Sequence, residues 1–290
     1  MGQYSIKDVE VLSGIKAHTL RIWEKRYDFL KPQRTDTNIR YYDDYQLRLI
    51  LNISTLNRKG FKISRIAHMS EKELNAEILR STDEGDTDDQ TDRLVRAMID
   101  FEADAFEKVI NQLTNKFGFE DTCVRLFFPF MMRTGVLWTA GTIRPAQEHF
   151  VTNLLRRKLL AAIDRVQTPQ KPDKKRYVLF LPEGESHETL LLFTEYLLRL
   201  RGQQVIYLGS DVPIEDLLYV RDAFRPDVLV TYISIEQETM STRDYLHRLA
   251  EMYTGTRILA GGARLAQPEL ALAANITVVN SVPDLKDAIS

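Results

Sequence analysis

The last third of the chain alternates between short apolar runs and segments with helical periodicity. Apolar runs begin near Tyr177, Val205, Val228, Arg257 and Ile276. Helical segments follow the first three, and a short terminal helix follows the last. Parallel strands joined by helices form a sheet that is covered on both faces. Residues 177–290 are therefore predicted to form a five-stranded, doubly wound parallel sheet.

Three strand ends of this predicted sheet carry candidate ligand contacts. His187 follows the first strand in the polar loop 182–190, Thr231–Ser234 ends the third strand, and Gly261-Gly262 follows the fourth. Open α/β sheets bind ligands at the carboxyl ends of their strands, and glycines there let a ligand approach the backbone. A loop histidine is also often a solvated side chain or a helix cap, so the loop alone supports either interpretation of His187.

The first 70 residues have the pattern of a small winged DNA-binding domain. Tyr4–Ser13 and Lys16–Tyr27 are predicted helices on either side of a turn at Gly14, and residues 32–42 are a predicted two-stranded wing. This segment has six more positive than negative charges, whereas the remaining residues carry a net charge of -8. A basic head on an acidic body indicates that the head meets a polyanion.

The candidate DNA contacts are polar or basic side chains of the second helix and the wing. They are Lys16, His18, Thr19, Arg21, Lys25, Arg34, Arg40 and Tyr41. Tyr41 and Tyr42 can alternatively pack against the wing sheet.

A helical region is predicted between two linkers. We assign residues 1–75 to the head, 76–90 to an acidic linker, 91–166 to a bundle of about four helices, 167–176 to a second linker and 177–290 to the sheet domain. In the bundle, Trp138 suits either a core position or a lid over a large ligand, and Glu148-His149 suits either a solvated pair or the same lid. Cys123 is the only cysteine, so an internal disulfide is excluded.

The head resembles the winged-helix domain of MerR-type transcription regulators. The resemblance rests on Thr19-Leu-Arg-Ile-Trp-Glu-Lys-Arg-Tyr, on Leu30-Lys-Pro-x-Arg-Thr-Asp-Thr-Asn-x-Arg-Tyr-Tyr and on Arg58-Lys-Gly-Phe-x-Ile, and it covers residues 1–70. Asn38 stands where many members have a wing glycine, and asparagine also tolerates left-handed backbone angles.

Residues 91–290 resemble the paired helical and flavodoxin-like modules that bind cobalamin in one branch of these regulators, which includes light-sensing repressors. The family's Glu/Asp-x-His-x-x-Gly appears as Glu185-Ser-His187-Glu-Thr-Leu190, its Ser-x-Leu as Thr231-Tyr-Ile233 and its paired glycines as Gly261-Gly262. Trp138 and Glu148-His149 match the helical-cap motif. Leu190 replaces the motif glycine that makes room for the nucleotide tail, and a branched side chain there would crowd it.

This resemblance implies a cobalt site in which His187 is the lower metal ligand and Glu185 orients its ring. The implied cofactor is cobalamin, and adenosylcobalamin is the form that we expect. The implied cofactor contacts are Trp138, Glu148, His149, Glu185, His187, Thr231, Ser234, Gly261 and Gly262.

These patterns indicate a cytoplasmic, DNA-binding transcriptional regulator. The resemblance implies that it is a repressor and that it forms a dimer or tetramer on a double-stranded operator. Its DNA affinity would respond to cobalamin and, through adenosylcobalamin, to light. One alternative is a MerR-type regulator that keeps the fold without the cofactor, which Leu190 favours. An enzyme is disfavoured, because the chain lacks a substrate barrel and catalysis has no use for a basic DNA-binding head. We expect no membrane partner, since no apolar run reaches the length of a span.

Overall fold

The computed structural model describes residues 4–27, 30–34, 40–70, 72–74, 77, 87–139, 143–167, 173–237, 240–266 and 272–290. Asn38, most of the acidic linker and the middle of the second linker lie outside these ranges. The chain forms two compact units, Met1–Leu154 and Leu155–Ser290. The predicted head and the predicted bundle up to Leu154 thus share the first unit. No helix in the described ranges combines the length and apolar character that a membrane span requires.

The first unit is helical apart from a small antiparallel wing sheet. Its strands, in the spatial order β1-β3-β2, are β1 (Tyr4–Ser5), β2 (Gln33–Arg34) and β3 (Arg40–Tyr42). Its helices are α1 (Ile6–Ser13), α2 (Ala17–Arg26), α3 (Asp44–Arg58), α4 (Ile63–Ile66), α5 (Thr87–Ile99), α6 (Ala103–Phe117), α7 (Phe119–Thr122) and α8 (Phe128–Thr139). A π-helical stretch, Cys123–Phe127, joins α7 to α8. Helix α9 (Pro145–Arg165) begins in this unit and ends in the next.

A helix cap, a glycine turn and two buried apolar side chains define the helix-turn-helix. Ser5 caps α1 by a reciprocal pair of hydrogen bonds with Asp8. Gly14 ends the helix with φ of 71°, a left-handed conformation that glycine adopts without strain. Leu20 and Trp23 are the buried side chains of α2, as their spacing predicts.

The linker prediction is wrong over residues 87–90, which form the first turn of α5. Asp92 is only 1% exposed and accepts hydrogen bonds from Arg133, at 2.6 Å, and from Arg58. Thr55 donates to the same carboxylate at 3.3 Å. We call these four residues the Asp92 cluster. The acidic segment is ordered because cations 34 and 41 positions away compensate the burial of its carboxylate.

The second unit contains the predicted parallel sheet. Its five strands have the spatial order β5-β4-β6-β7-β8, which is a flavodoxin-like order. The strands are β4 (Arg176–Pro182), β5 (Gln204–Val212), β6 (Val228–Tyr232), β7 (Arg257–Gly261) and β8 (Ile276–Val279). The helices are α10 (Thr189–Leu200), α11 (Asp216–Phe224), α12 (Thr242–Met252) and α13 (Val282–Ala288), with a 3-10 turn at Ala263–Ala266. The sheet prediction is confirmed.

Candidate functional site

Glu185 joins two loops at the carboxyl edge of the sheet. Its Oε1 lies 2.5 Å from Nδ1 of His187 and accepts the backbone N–H of the same residue at 3.0 Å. Its Oε2 accepts the backbone N–H groups of Ser234, at 2.6 Å, and Ile235, at 3.1 Å. One buried carboxylate therefore fixes the loop after β4, the imidazole that this loop carries and the loop after β6.

The electrostatics of this pair suit a histidine that ligates a metal. Burial raises the pKa of Glu185, but hydrogen bonds from the His187 ring, the His187 amide and the Ser234 amide outweigh it and lower the pKa to about 2. The ionised carboxylate accepts the Nδ1 proton, and in that tautomer the lone pair is on Nε2. The His187 side chain is 63% exposed, so the ring is accessible from outside the edge. This donor chemistry fits the lower ligand of a cobalt ion.

The paired glycines are required by contacts within the protein. A Cβ on Gly262 would lie 2.4 Å from the Ile233 carbonyl oxygen, and the backbone φ there is 106°. A Cβ on Gly261 would lie 2.7 Å from the ring of Tyr232. The Ile233 N–H also donates to the Gly261 carbonyl at 2.8 Å. The ends of β6 and β7 therefore approach each other closely, and a ligand contact at these glycines stays a prediction.

Thr231 and Tyr232 occupy opposite faces of the sheet, because side chains alternate along a strand. Thr231 shares its face with Leu229 and Ile233, which belong to the apolar core against α12. Its Oγ1 is buried and has no hydrogen-bond partner among the described residues. The Tyr232 hydroxyl lies on the other face, 2.9 Å from Oγ1 of Thr194 in α10.

The structure thus brings Glu185, His187 and Ser234 together and leaves Thr231 on the far face from Tyr232. The sequence analysis missed Tyr232 and Thr194 as residues of this edge. The strand alternation would have indicated that Tyr232 lies on the opposite face of the sheet from Thr231. It also missed Glu188, which pairs with Arg156 and accepts the Tyr207 hydroxyl at 2.9 Å beside His187.

The predicted cap residues lie in the first unit. Trp138 is 47% exposed in α8, so the interpretation of this residue as core is wrong. Glu148 and His149 begin α9, with 3.1 Å between Oε2 of the glutamate and Nδ1 of the histidine. Glu148 also accepts the Thr152 hydroxyl at 2.7 Å. Residues 140–142, which include the predicted glycine bend, lie outside the described residues.

The candidate DNA contacts of α2 form a polar face. Lys16, at the start of the helix, has its Nζ 3.3 Å from Glu10, and Thr19 is half-buried. Ile22 is 50% exposed on the same helix, and the sequence analysis missed it. The signal was available, because Ile22 lies outside the buried stripe that Leu20 and Trp23 form. An exposed apolar side chain there can contact a thymine methyl group. The exposed candidate contacts of the helix and wing are Lys16, His18, Arg21, Lys25 and Arg34.

Arg40 and Tyr41 make contacts within the head. The Arg40 Nε lies 3.2 Å from Oε2 of Glu24, and the buried Tyr42 donates to the same carboxylate. The Tyr41 hydroxyl donates to Gln33 across the wing at 2.6 Å. In this structure both side chains support the wing, and their contact with DNA stays a prediction.

Two family models match the chain. Residues 4–73 match the model described as MerR HTH family regulatory protein, and residues 90–162 match the one described as B12 binding domain. The predicted resemblances of the head and of the bundle are thereby confirmed.

Curated relatives and a solved structure extend these matches. The chain is 27% identical to the HTH-type transcriptional repressor CarH of Myxococcus xanthus, over 90% of this chain and 89% of that protein. It is also 27% identical to the repressor CarA of the same organism, over 77% of this chain and 74% of that protein. The monomethylamine corrinoid protein of Methanosarcina barkeri superposes with a TM-score of 0.58 at 17% identity, over 70% of this chain and 99% of that one. This last similarity concerns the fold alone.

Proposed function

We propose that the chain is a DNA-binding transcriptional regulator whose DNA affinity responds to a corrinoid held through His187. The observation that carries the proposal is the 2.5 Å contact between Glu185 and His187 at the carboxyl edge of the sheet. The match of the head to MerR regulators and of residues 90–162 to the B12 binding domain supports both halves of it.

The proposed roles follow from the chemistry of the side chains. A bound corrinoid would supply a cobalt ion that can accept a nitrogen ligand from the protein. The His187 Nε2 would be the metal ligand and Glu185 the positioning residue that fixes the ring. The Ser234 loop is tied to the same carboxylate, so a change at His187 reaches that loop directly. The further candidate contacts are Trp138, Glu148, His149, Thr231, Gly261 and Gly262.

The regulation we propose is repression by an oligomer that binds operator DNA in the cytoplasm. The names of the two Myxococcus xanthus relatives support repression. Two or more basic heads joined together bind DNA far more tightly than one, so a corrinoid that changes subunit association changes DNA affinity. For a light response we favour a corrinoid in its adenosyl form, since the cobalt–carbon bond of that form is photolabile.

The test is an absorbance spectrum of the full chain after incubation with a corrinoid in the dark and removal of the excess. We expect a retained, shifted spectrum in the wild type and its loss in His187→Ala. Ser186→Ala is the matched control, because it changes the exposed neighbour and should leave the spectrum unchanged. Identical spectra for His187→Ala and the wild type would refute the assignment of the ligand.

The second candidate is a regulator that binds DNA without a cofactor. It is favoured by Leu190, where the resembled motif has glycine, and by the buried ring of Tyr232 beneath the same edge. A colourless protein that binds DNA with unchanged affinity in the presence of corrinoids would support this candidate. An enzymatic role has less support, because the relatives that match most of the chain are named as repressors.

A further inference from the structure

We infer that the space beneath His187 is closed by protein side chains, so that the site takes a corrinoid without a lower nucleotide tail in preference to cobalamin. This inference rests on the proposed function, since it specifies which corrinoid the same site accepts. The closure is made by three residues, Leu190, Thr194 and Tyr232, which we call the latch.

The latch is a directed chain of hydrogen bonds between α10 and β6. The Thr194 hydroxyl lies 2.8 Å from the Leu190 carbonyl oxygen and 2.9 Å from the Tyr232 hydroxyl. A carbonyl can only accept, and threonine has one hydroxyl proton, so Thr194 donates to Leu190 and Tyr232 donates to Thr194. Both hydroxyls of the latch therefore have a hydrogen-bond partner, and Thr194 and Tyr232 are buried.

The ring of Tyr232 covers Gly261, one of the paired glycines of the resembled motif. A Cβ added to Gly261 would meet Cδ1 and Cε1 of the ring at 2.7 Å. The bare side of this glycine is therefore covered by the tyrosine. Protein interiors are close-packed, so a fused bicyclic base cannot share this space with the ring.

The start of α10 bounds the space beneath His187 from the other side, and we call this space the cleft. Leu190 is half-buried in the first turn of α10, three positions after His187. A tail passing beneath the imidazole must move this branched side chain and must also break the buried bond between Tyr232 and Thr194. A tail-free corrinoid requires neither change.

His187 remains suited to such a ligand. Glu185 fixes its ring from the side of the β6 loop, without any contribution from the latch. A corrinoid without a tail has no nitrogen base of its own beneath the cobalt, so a nitrogen ligand on that side must come from the protein. Cobalamin carries a nitrogen base that competes with His187 for the cobalt ion. This base has to leave the cobalt and find another place in the protein.

The test compares two probes on the full chain, aquocobinamide, which lacks the nucleotide, and hydroxocobalamin, which carries it. Absorbance titrations should give a dissociation constant for aquocobinamide that is lower by about tenfold or more. Tyr232→Ser opens the cleft, and we expect it to tighten hydroxocobalamin by about tenfold while aquocobinamide changes little. Tyr245→Ser is the matched control, since it removes an equally buried tyrosine that belongs to the core on the opposite face of the sheet.

The outcomes separate this inference from the proposed function. Equal affinity of the wild type for both probes, or no gain for hydroxocobalamin in a folded Tyr232→Ser protein, would overturn the closure and leave the regulator proposal standing. Failure of the wild type to bind either probe would overturn the proposed function and, with it, the preference. Should Tyr232→Ser not fold, Leu190→Ala widens the mouth from the helix side, and a gain for hydroxocobalamin alone is again the expected result.

Discussion

Gly262, at the carboxyl edge of the sheet, is needed for a different reason from other glycines of the same unit. Gly262 has a positive φ and no space for a side chain, because the Ile233 backbone lies against it. Gly255 also has a positive φ, of 84°, but nothing lies within 4 Å of the position of its Cβ. A comparison of Gly262 with Gly255 therefore separates the cost of a left-handed backbone from the cost of a steric clash.

We expect Gly262→Ala to lower the free energy of unfolding by about 3 kcal/mol, from left-handed strain together with overpacking. Gly255→Ala should cost about 1 kcal/mol, because only the strain applies. Urea unfolding followed by circular dichroism measures both values. Equal losses would show that the Ile233 backbone moves aside without cost.

Single residues of the edge were predictable only where the chain order determines them. His187 and Ser234 were expected at one edge because parallel strands end there, whereas Glu185 was implied by the family resemblance. The structure brings the three together. The bond between Thr194 and Tyr232 joins positions 38 residues apart. Its existence depends on how α10 packs on the sheet, which the local pattern does not encode.

Helices and strands of the chain were largely predictable, and α5 shows why one element was not. The apolar periodicity of the second unit predicts its strands, because burial on both faces demands near-continuous apolar runs. The start of α5 lacks apolar residues and was interpreted as a linker. Its stability comes from the Asp92 cluster, which ties α5 to α3 and α8 through charge.

Removal of the central carboxylate should expose how much the cluster contributes. Asp92→Ala leaves Arg133 and Arg58 without their shared partner, and we expect the free energy of unfolding to fall by about 3 kcal/mol. Asp104→Ala, an exposed aspartate in the first turn of α6, is the control and should cost at most a few tenths of a kcal/mol, roughly the value of a helix-dipole contact. A loss at Asp92 no larger than the control loss would mean that solvent replaces the carboxylate.

Helix α2 is the element that we expect to meet the operator. Arg21 is exposed there, so Arg21→Ala should weaken DNA binding and lower the slope of log K against log salt by about one, with unfolding unchanged. Arg40→Ala should also destabilise the head, because it leaves the nearly buried Glu24 carboxylate without its cation. Fluorescence anisotropy over a salt series measures the loss of DNA binding in each variant. Thermal unfolding then distinguishes Arg40→Ala, which should be destabilised, from Arg21→Ala, which should not. An unchanged salt slope for Arg21→Ala would remove this residue from the DNA interface.

The whole molecule combines a basic head with an acidic remainder. The head carries six excess positive charges and the other residues a net charge of -8. A single weakly basic head gives modest, salt-sensitive DNA binding. Tight binding therefore requires several heads on one DNA, which makes subunit association the natural point of control.

We expect corrinoid loading to raise affinity for DNA with two head sites by about a hundredfold and for a single site by little, because only the paired site rewards association. Anisotropy with the two DNA lengths, and sedimentation velocity of the loaded and unloaded protein, measure this. A proportionate rise on both DNA lengths would indicate a change within one head and would contradict control by association.

The dual attachment of Glu185 has a consequence for how related genes are interpreted. Its carboxylate holds two backbone amides of the β6 loop as well as the imidazole. A lineage that abandons the cofactor would still be under selection to keep this glutamate for the shape of the loop, and the histidine could persist beside it as a relic. The Glu-x-His motif then shows only that an ancestor bound the cofactor. The residues at positions 190 and 232 indicate whether a present-day protein still binds it.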